Sequence, residues 1–462
     1  MDDRFLSVID EKRNLLDQTA DFLWDHPETA FTEFASAARL CDVLRSEGFT
    51  VTEGLAGIST AFSGSFGSGR PVIGILGEFD ALSGLSQVSG ATEQHSAGGT
   101  CGHGCGHNLL GTGALGAALA VKRYLEERGA PGTVVYFGCP GEEGGSGKGF
   151  MARDGVFDDL DAALTWHPED RTYVRTNLSL ANCQVLFRFD GKASHAGQQP
   201  ELGRSALDAV ELMNVGVQFL REHIPSSSRI HYAITDAGGF SPNVVQPHAE
   251  VLYLIRGVRN DLVQELYGRV CDIATGAALM TGTTERHTFI KACSNTIPNT
   301  AIQRLLQEKM EQLPPPAPTE EDLRFAAALT ASALGDCPDA DPTHPIHWEP
   351  DPYDATEPQR FGSTDVGDVS WVCPTAQIST ATMVRGTPGH SWQLVAQGKL
   401  PLAHRMTRYA ARILAAAAVE LLSRPELLEA AKAEHRRRVG PGGYVPPIPR
   451  DVRPAAMDSL HK

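Results

Sequence analysis

Positive charge is in short supply in this sequence: 40 Lys and Arg face 56 Asp and Glu, for a formal net charge of −16. Binding DNA or RNA needs a basic surface to neutralise phosphates, so no nucleic-acid partner is expected. The one basic run, His435-Arg436-Arg437-Arg438, is short and adjoins a Pro/Gly-rich tail, as a solvated helix end does. Long apolar runs are also missing. The nearest, Ile413 to Leu422, is too short to span a bilayer and contains Glu420, so no membrane partner is expected. The opening MDDRFLSVIDEK lacks the basic-then-apolar order of a signal peptide. Nine cysteines are too few for a disulfide scaffold of this size, and the number is odd. These absences lead to the expectation of a soluble, cytoplasmic protein.

Apolar residues make up 42% of the chain, and 462 residues suffice for two or three domains with full cores. Residues 5 to 48 carry apolar positions at helical spacing. Three short apolar runs follow, at 72 to 76, 133 to 138 and 162 to 166, of the kind that buried parallel strands show. An Ala/Gly-rich helix, 109 to 127, lies between the first two. Strands alternating with helices predict an α/β domain with a mostly parallel sheet. From about 179 the texture changes to strand, helix, strand, strand, helix, strand, the split βαβ order of a small ferredoxin-like α+β sandwich inserted into the first domain. Residues 311 to 360, rich in Pro, Asp and Glu, read as an irregular excursion around one short helix. The span 403 to 433 reads as one long helix.

Each of the three apolar runs ends in ionisable residues: Gly77-Glu78-Phe79-Asp80, Gly141-Glu142-Glu143, and Trp166-His167-Pro168. In an open α/β sheet the carboxyl ends of parallel strands line one crevice, where such folds bind ligands. The stretch CGHGCGHN, residues 101 to 108, lies on the loop after the first run and belongs to the same rim. Cysteine, histidines and carboxylates in one crevice make a ligand set suited to Zn²⁺ or Mn²⁺. Other readings compete. A structural zinc clip needs a second Cys pair at zinc-finger spacing, which does not follow. A redox pair is usually C-x-x-C, whereas here three residues separate Cys101 from Cys105. Adjacent glutamates are usually just surface, and a single histidine such as His167 is usually not a ligand. Joint placement at strand ends outweighs these.

The motifs GEFDAL, GHGCGHN, GEEGGSGKGFM, WHP, KASHAGQQPELGRSALDAV, SPNVVQP, GSTDVGDVSW and GTPGHSW occur in the order found in metallopeptidase family 20. Together with the early LWDHPETAFTEFAS they most resemble its amidohydrolase branch. The resemblance covers nearly the whole chain and implies two divalent metal ions per subunit, Mn²⁺ or Zn²⁺. It implies that Cys105 bridges them as a thiolate, with His107, Glu143, His167 and His390 as the other ligands. Glu142 would be the general base, taking a proton from the attacking water and passing it to the leaving nitrogen. Asp80 would fix a ligand histidine. His195, in KASHAG, would polarise the scissile carbonyl in the active site of a partner subunit. Asn243 and Arg256 would hold the substrate carboxylate. Two departures stand out: Glu78 occupies the place of a ligand histidine in other branches, and Cys101 has no counterpart.

The expected architecture is a catalytic metal-binding domain, residues 1–178 and 295–462, with residues 179–294 as lid and dimerisation domain. The expected activity is metal-dependent hydrolysis of an N-acyl amino acid, an aroyl-amino acid such as p-aminobenzoyl-glutamate first among them. The alternatives are a dipeptidase, a hydrolase of another C–N bond such as that of an aminoarene, or a non-catalytic partner subunit. A homodimer is expected, with a homologous hetero-partner as the other possibility.

Overall fold

The computed structural model describes residues 3–456. Its larger sheet has eight strands, in the order Thr50–Glu53, Phe62–Ser68, Gly132–Cys139, Val72–Glu78, Ala162–Glu169, Thr375–Ala381, Arg171–Arg175 and His347–Pro350. The central four are mutually parallel. Their carboxyl ends therefore open on one edge, and that edge carries the site. Three of the four are the apolar runs of the sequence. The fourth, Thr375–Ala381, has a polar texture (TAQISTA) that hides it from a hydrophobicity argument. Its hydroxyls are satisfied internally: Thr375 Oγ1 donates to the Cys373 carbonyl and Thr380 Oγ1 to that of Met406, while Ser379 Oγ accepts from Arg175. A buried strand tolerates polar side chains on that condition.

Helix His107–Arg128 is buried along almost its whole length, between the sheet and helix Pro401–Ser423. Small residues permit the close approach. A Cβ added at Gly113 would lie 2.6 Å from Trp166 Nε1, and that indole donates to the Leu110 carbonyl at 2.9 Å. The expected single helix over 403 to 433 is two, Pro401–Ser423 and Pro425–Val439. Pro425 keeps the preceding Arg424 out of the helical region (φ −123, ψ 85), and the axis breaks there. The 311 to 360 excursion holds helix Glu320–Leu329, started by a Thr319/Asp322 capping box, and the edge strand His347–Pro350.

The second sheet is wholly antiparallel, in the order Arg229–Asp236, His248–Gly257, Ala181–Asp190 and Thr284–Cys293. Helices Ala206–Arg221 and Asn260–Thr281 pack on it. Numbered along the chain, the strand order is 2-3-1-4 with helices after the first and third, which is the ferredoxin-like arrangement. Among the described residues no helix is long and apolar enough to cross a membrane.

Candidate metal centre

Strand Val72–Glu78 runs straight into Phe79-Asp80, and strand Gly132–Cys139 into the turn that bears Glu142 and Glu143. His167 sits near the end of its own strand, and Cys105 and His107 stand where a loop enters helix His107–Arg128. His390 arrives after the fourth parallel strand. Its backbone is left-handed (φ 55), unusual for a non-glycine residue, and its N–H donates to the Gly104 carbonyl at 2.9 Å, tying it to the Cys105 loop.

These side chains converge. The ligand atoms of Cys105, His107 and His167 lie within 4.8 Å of one another, as do those of Cys105, Glu143 and His390. Cys105 belongs to both groups. A third group joins Glu78, His107 and Glu142. The histidine tautomers follow from their partners. His167 Nδ1 lies 2.7 Å from the Pro168 carbonyl, which can only accept, so Nε2 keeps its lone pair, 3.4 Å from Cys105 Sγ. His107 Nδ1 donates to Asp80 Oδ1 at 2.9 Å. Its Nε2 is buried without a hydrogen-bond partner, 3.2 Å from Glu78 Oε2. A nitrogen lone pair facing a carboxylate is repulsive unless a proton or a cation sits between them. This donor set, with one soft sulfur, three imidazoles and carboxylates, fits divalent transition-metal ions.

Without a cation the cluster keeps its protons: burial works to lower His107, but Cys105 and Asp80 hold it well above its ordinary value, and a bound metal would take the place of that proton. Burial, reinforced by Glu143, pushes the Cys105 thiol well above its ordinary range. Burial and the neighbouring Arg175 and His107 bring His167 down to about 3, leaving it neutral. Burial lifts Glu142 well above the usual carboxylate range, and Glu78 and Glu143 add to the effect. Burial also acts to raise Glu143, but the hydrogen bond from His390 and the charges of His107 and His390 outweigh it and hold it at about 2. Two adjacent glutamates are thus driven apart, one toward proton uptake and one toward permanent charge.

Around the cluster lies a cavity of about 690 Å³, lined by Cys105, Glu142, Glu143, His167, Arg175 and His390 among others. Asp80 is buried beneath it, with Oδ2 accepting from the Glu143 N–H at 2.8 Å. His103 turns away, its Nε2 donating to the Leu23 carbonyl at 2.9 Å. Cys101 is in none of the ligand groups. The remaining sequence candidates lie apart from this cavity. His195 and Asn243 sit together on exposed loops of the second sheet, where Ala196 N donates to the Asn243 carbonyl at 2.9 Å. His195 Nδ1 accepts the N–H groups of Gly197 and Gln198 at 3.1 and 3.2 Å, so its own proton is on Nε2. Arg256 bonds Ser363 Oγ at 2.7 Å, and Ser363 does line the cavity.

Sequence reasoning missed a buried charge cluster behind the site. The Lys148 ammonium, fully buried, lies 2.6 Å from both Glu78 Oε1 and Asp365 Oδ1, and the backbone N–H of Lys148 donates to Asp365 Oδ2 at 2.8 Å. Burial alone would lower Lys148, but the two carboxylates hold it well above its ordinary value, charged. Glu78 is thereby anchored with one oxygen toward His107. A lysine between glycines just after the paired glutamates was the available signal.

Residues 75–354 match the family model described as peptidase family M20/M25/M40. The chain is 47% identical to one of the subunits of p-aminobenzoyl-glutamate hydrolase from Escherichia coli (strain K12), covering 98% of this chain and 99% of the relative. It is 27% identical to the Xaa-Arg dipeptidase of Mus musculus over 93% of this chain and 90% of that one. Among solved structures, an aminobenzoyl-glutamate utilization protein from Klebsiella pneumoniae superposes with a TM-score of 0.59 at 18% identity, covering 89% of this chain and 98% of that one. A dinuclear metal-binding peptidase of the M20 family from Bacillus subtilis gives 0.57 at 17% identity, over 90% and 99%. The chain therefore belongs to the M20/M25/M40 peptidase family and is a hydrolase of amide bonds.

Proposed function

We propose that this enzyme cleaves the amide bond of N-acyl amino acids, with aroyl-glutamates such as p-aminobenzoyl-glutamate as its leading substrates. The observation that carries the reading is the thiol of Cys105, shared by two ligand groups, with Glu142 on the same cavity wall. The choice of substrate rests on the relative that is 47% identical along both chains. Two divalent cations, Mn²⁺ or Zn²⁺, bound by Cys105, His107, Glu143, His167 and His390 would acidify a water and polarise the amide carbonyl. Glu142 takes the proton of the attacking water and delivers it to the departing nitrogen. Asp80 holds the His107 tautomer and, through the Glu143 N–H, the position of the acidic turn.

Residues 179–294 act as lid and dimerisation domain on the catalytic domain formed by 1–178 and 295–462. Helix Ala206–Arg221 leaves Leu212, Val215 and Phe219 exposed at helical spacing, which supports burial against a second chain. His195 of the partner subunit donates from Nε2 to the scissile carbonyl, while Asn243 and Arg256 hold the substrate carboxylate. The exposure of His195 and Asn243 in a single chain accords with use across an interface. A homodimer is the simplest such assembly. A homologous hetero-partner is the alternative, since the Escherichia coli relatives include two different subunits of p-aminobenzoyl-glutamate hydrolase. The site of action is the cytoplasm. A dipeptide substrate is the second reading, favoured by the 27% identity to a dipeptidase.

The test is a mass-spectrometric assay of the Mn²⁺-supplemented protein with p-aminobenzoyl-glutamate. The expected result is release of glutamate and p-aminobenzoate that a chelator abolishes. No release from a metal-loaded dimer would reject the substrate.

A further inference from the structure

The N-terminal segment Phe31–Glu33 lies far in sequence from the paired glutamates, yet it grips the turn that carries them. Glu33 is fully buried. Its Oε1 accepts two backbone N–H groups, from Gly141 at 2.8 Å and from Phe31 at 2.9 Å. Its Oε2 is hydrogen-bonded to the hydroxyl of Thr60, itself buried, at 2.8 Å. One carboxylate oxygen thus joins the residue just before Glu142 to Phe31.

Phe31 forms the second half of the grip. Its backbone is left-handed (φ 65), a conformation rarely adopted by a bulky L-residue, and the N–H bond to Glu33 helps to hold it there. The outer end of the ring packs against the turn. A Cβ added at Gly141 would be 2.8 Å from Phe31 Cε1, and one at Gly145 would be 2.8 Å from Cε2. The ring also makes a T-shaped contact with Phe150, with centroids 6.2 Å apart. Gly141 is left-handed as well (φ 65, ψ 36), so both its conformation and its lack of a side chain are used.

From the other side, Asp80 accepts the N–H of Glu143 at 2.8 Å. Glu142 is therefore flanked by two backbone N–H groups, each bonded to a buried carboxylate on a different segment. We propose that Glu33, acting with Phe31, is a positioning residue that fixes the Gly141–Glu142 turn so that Glu142 points at the attacking water. This rests on the reading of Glu142 as the base. The hydrogen-bond partners of the Glu33 carboxyl, Gly141, Phe31 and Thr60, are not proposed metal ligands. Burial and the nearby Asp80 lift Glu33 to about 8, so at neutral pH the group is largely uncharged and glutamine is its closest mimic. The geometry asks only for an acceptor facing Gly141 and Phe31, and the Gln carbonyl supplies it, while Thr60 can turn to accept from the amide.

The experiment compares Glu33→Gln, Glu33→Leu and Phe31→Leu with the parent enzyme, each loaded with Mn²⁺ and analysed for metal content. Steady-state kinetics and hydrogen exchange of the 140–147 segment are read on all four. In Glu33→Leu, kcat should fall by roughly 100-fold, the scale of a misplaced catalytic group, with KM and metal content within about 3-fold of the parent. Exchange of 140–147 should speed up by about 10-fold or more. Glu33→Gln should restore kcat to within about 3-fold and exchange to the parent rate. Phe31→Leu, the milder lesion, should lower kcat by about 10-fold and covers the case in which Glu33→Leu fails to fold. Unchanged kcat and exchange in both leucine variants, or loss that follows loss of metal, would overturn the proposal. Exchange needs no substrate, so a parent enzyme inactive on p-aminobenzoyl-glutamate would count against the substrate reading while the clamp is still judged.

Discussion

Replacing Asp80 by Asn removes a single charge and tests how the metal centre is oriented. Asp80 uses its two oxygens for two different donors, His107 Nδ1 at 2.9 Å and Glu143 N at 2.8 Å. Asparagine has only one acceptor oxygen, so whichever way its amide is turned one donor is abandoned. If the amide nitrogen faces Glu143, the turn N–H is orphaned in the interior. If it faces His107, the ring must release its Nδ1 proton, and the tautomer that presents the Nε2 lone pair is lost. A hydrogen bond to a charged acceptor contributes about 1.5–3 kcal/mol, which is roughly 10- to 150-fold in a binding constant. The expected outcome for Asp80→Asn is thus a weakening of Mn²⁺ affinity by one to two orders of magnitude, with the fold intact. Isothermal titration of the metal-stripped protein, with circular dichroism as the control for folding, measures it. Affinity equal to that of the parent enzyme would refute the reasoning.

Glu142→Gln should lower kcat by about 100-fold or more while two metals remain by elemental analysis, because a base and not a ligand has been removed; parent-like turnover would exclude it from that role. Cys105→Ala should empty both positions together, since its sulfur is in both ligand groups, and loss of one metal alone would contradict the bridge. Asp161 is a structural counterpart. It accepts from the Val72 N–H at 2.7 Å at the start of a central strand and pairs with Arg70 and Lys432. Burial works to raise it, but the Lys432 hydrogen bond, the Val72 N–H and the two cations bring it below the ordinary aspartate value. A carboxyl lowered in the folded state contributes stability that is full above its unfolded pKa and is lost as pH falls through the folded one. The difference in thermal midpoint between the parent and Asp161→Asn should accordingly be present at pH 7 and shrink below about pH 4; a gap independent of pH would show that the charge is not involved.

What could be read in the sequence were the features written in local pattern. Runs such as VIGILGE bury both faces and end in acids, so the strand ends and their carboxylates were visible together. The split βαβ order of the second sheet was visible for the same reason, through alternation and amphipathic helices. The strand Thr375–Ala381 was not, because its burial depends on hydroxyl partners supplied by distant segments. Long-range charge partners were equally silent: nothing near Lys148 announces that Asp365 will meet it. Phe31 and Glu33 lie within the 5 to 48 stretch of helical spacing, and their meaning appears only when Gly141 is brought against them. The ligand set itself came from motif resemblance. The geometry added the tautomers of His107 and His167 and the anchoring of Glu78, none of which spacing can supply.

The central claim is that two cations share one thiol. Anomalous diffraction from crystals of the Mn²⁺-loaded enzyme, collected at the manganese edge, addresses it most directly. Two peaks flanking Cys105 Sγ are expected, one beside His107 and His167 and the other beside Glu143 and His390. A single peak, or two peaks with Cys105 outside bonding distance of either, would contradict it.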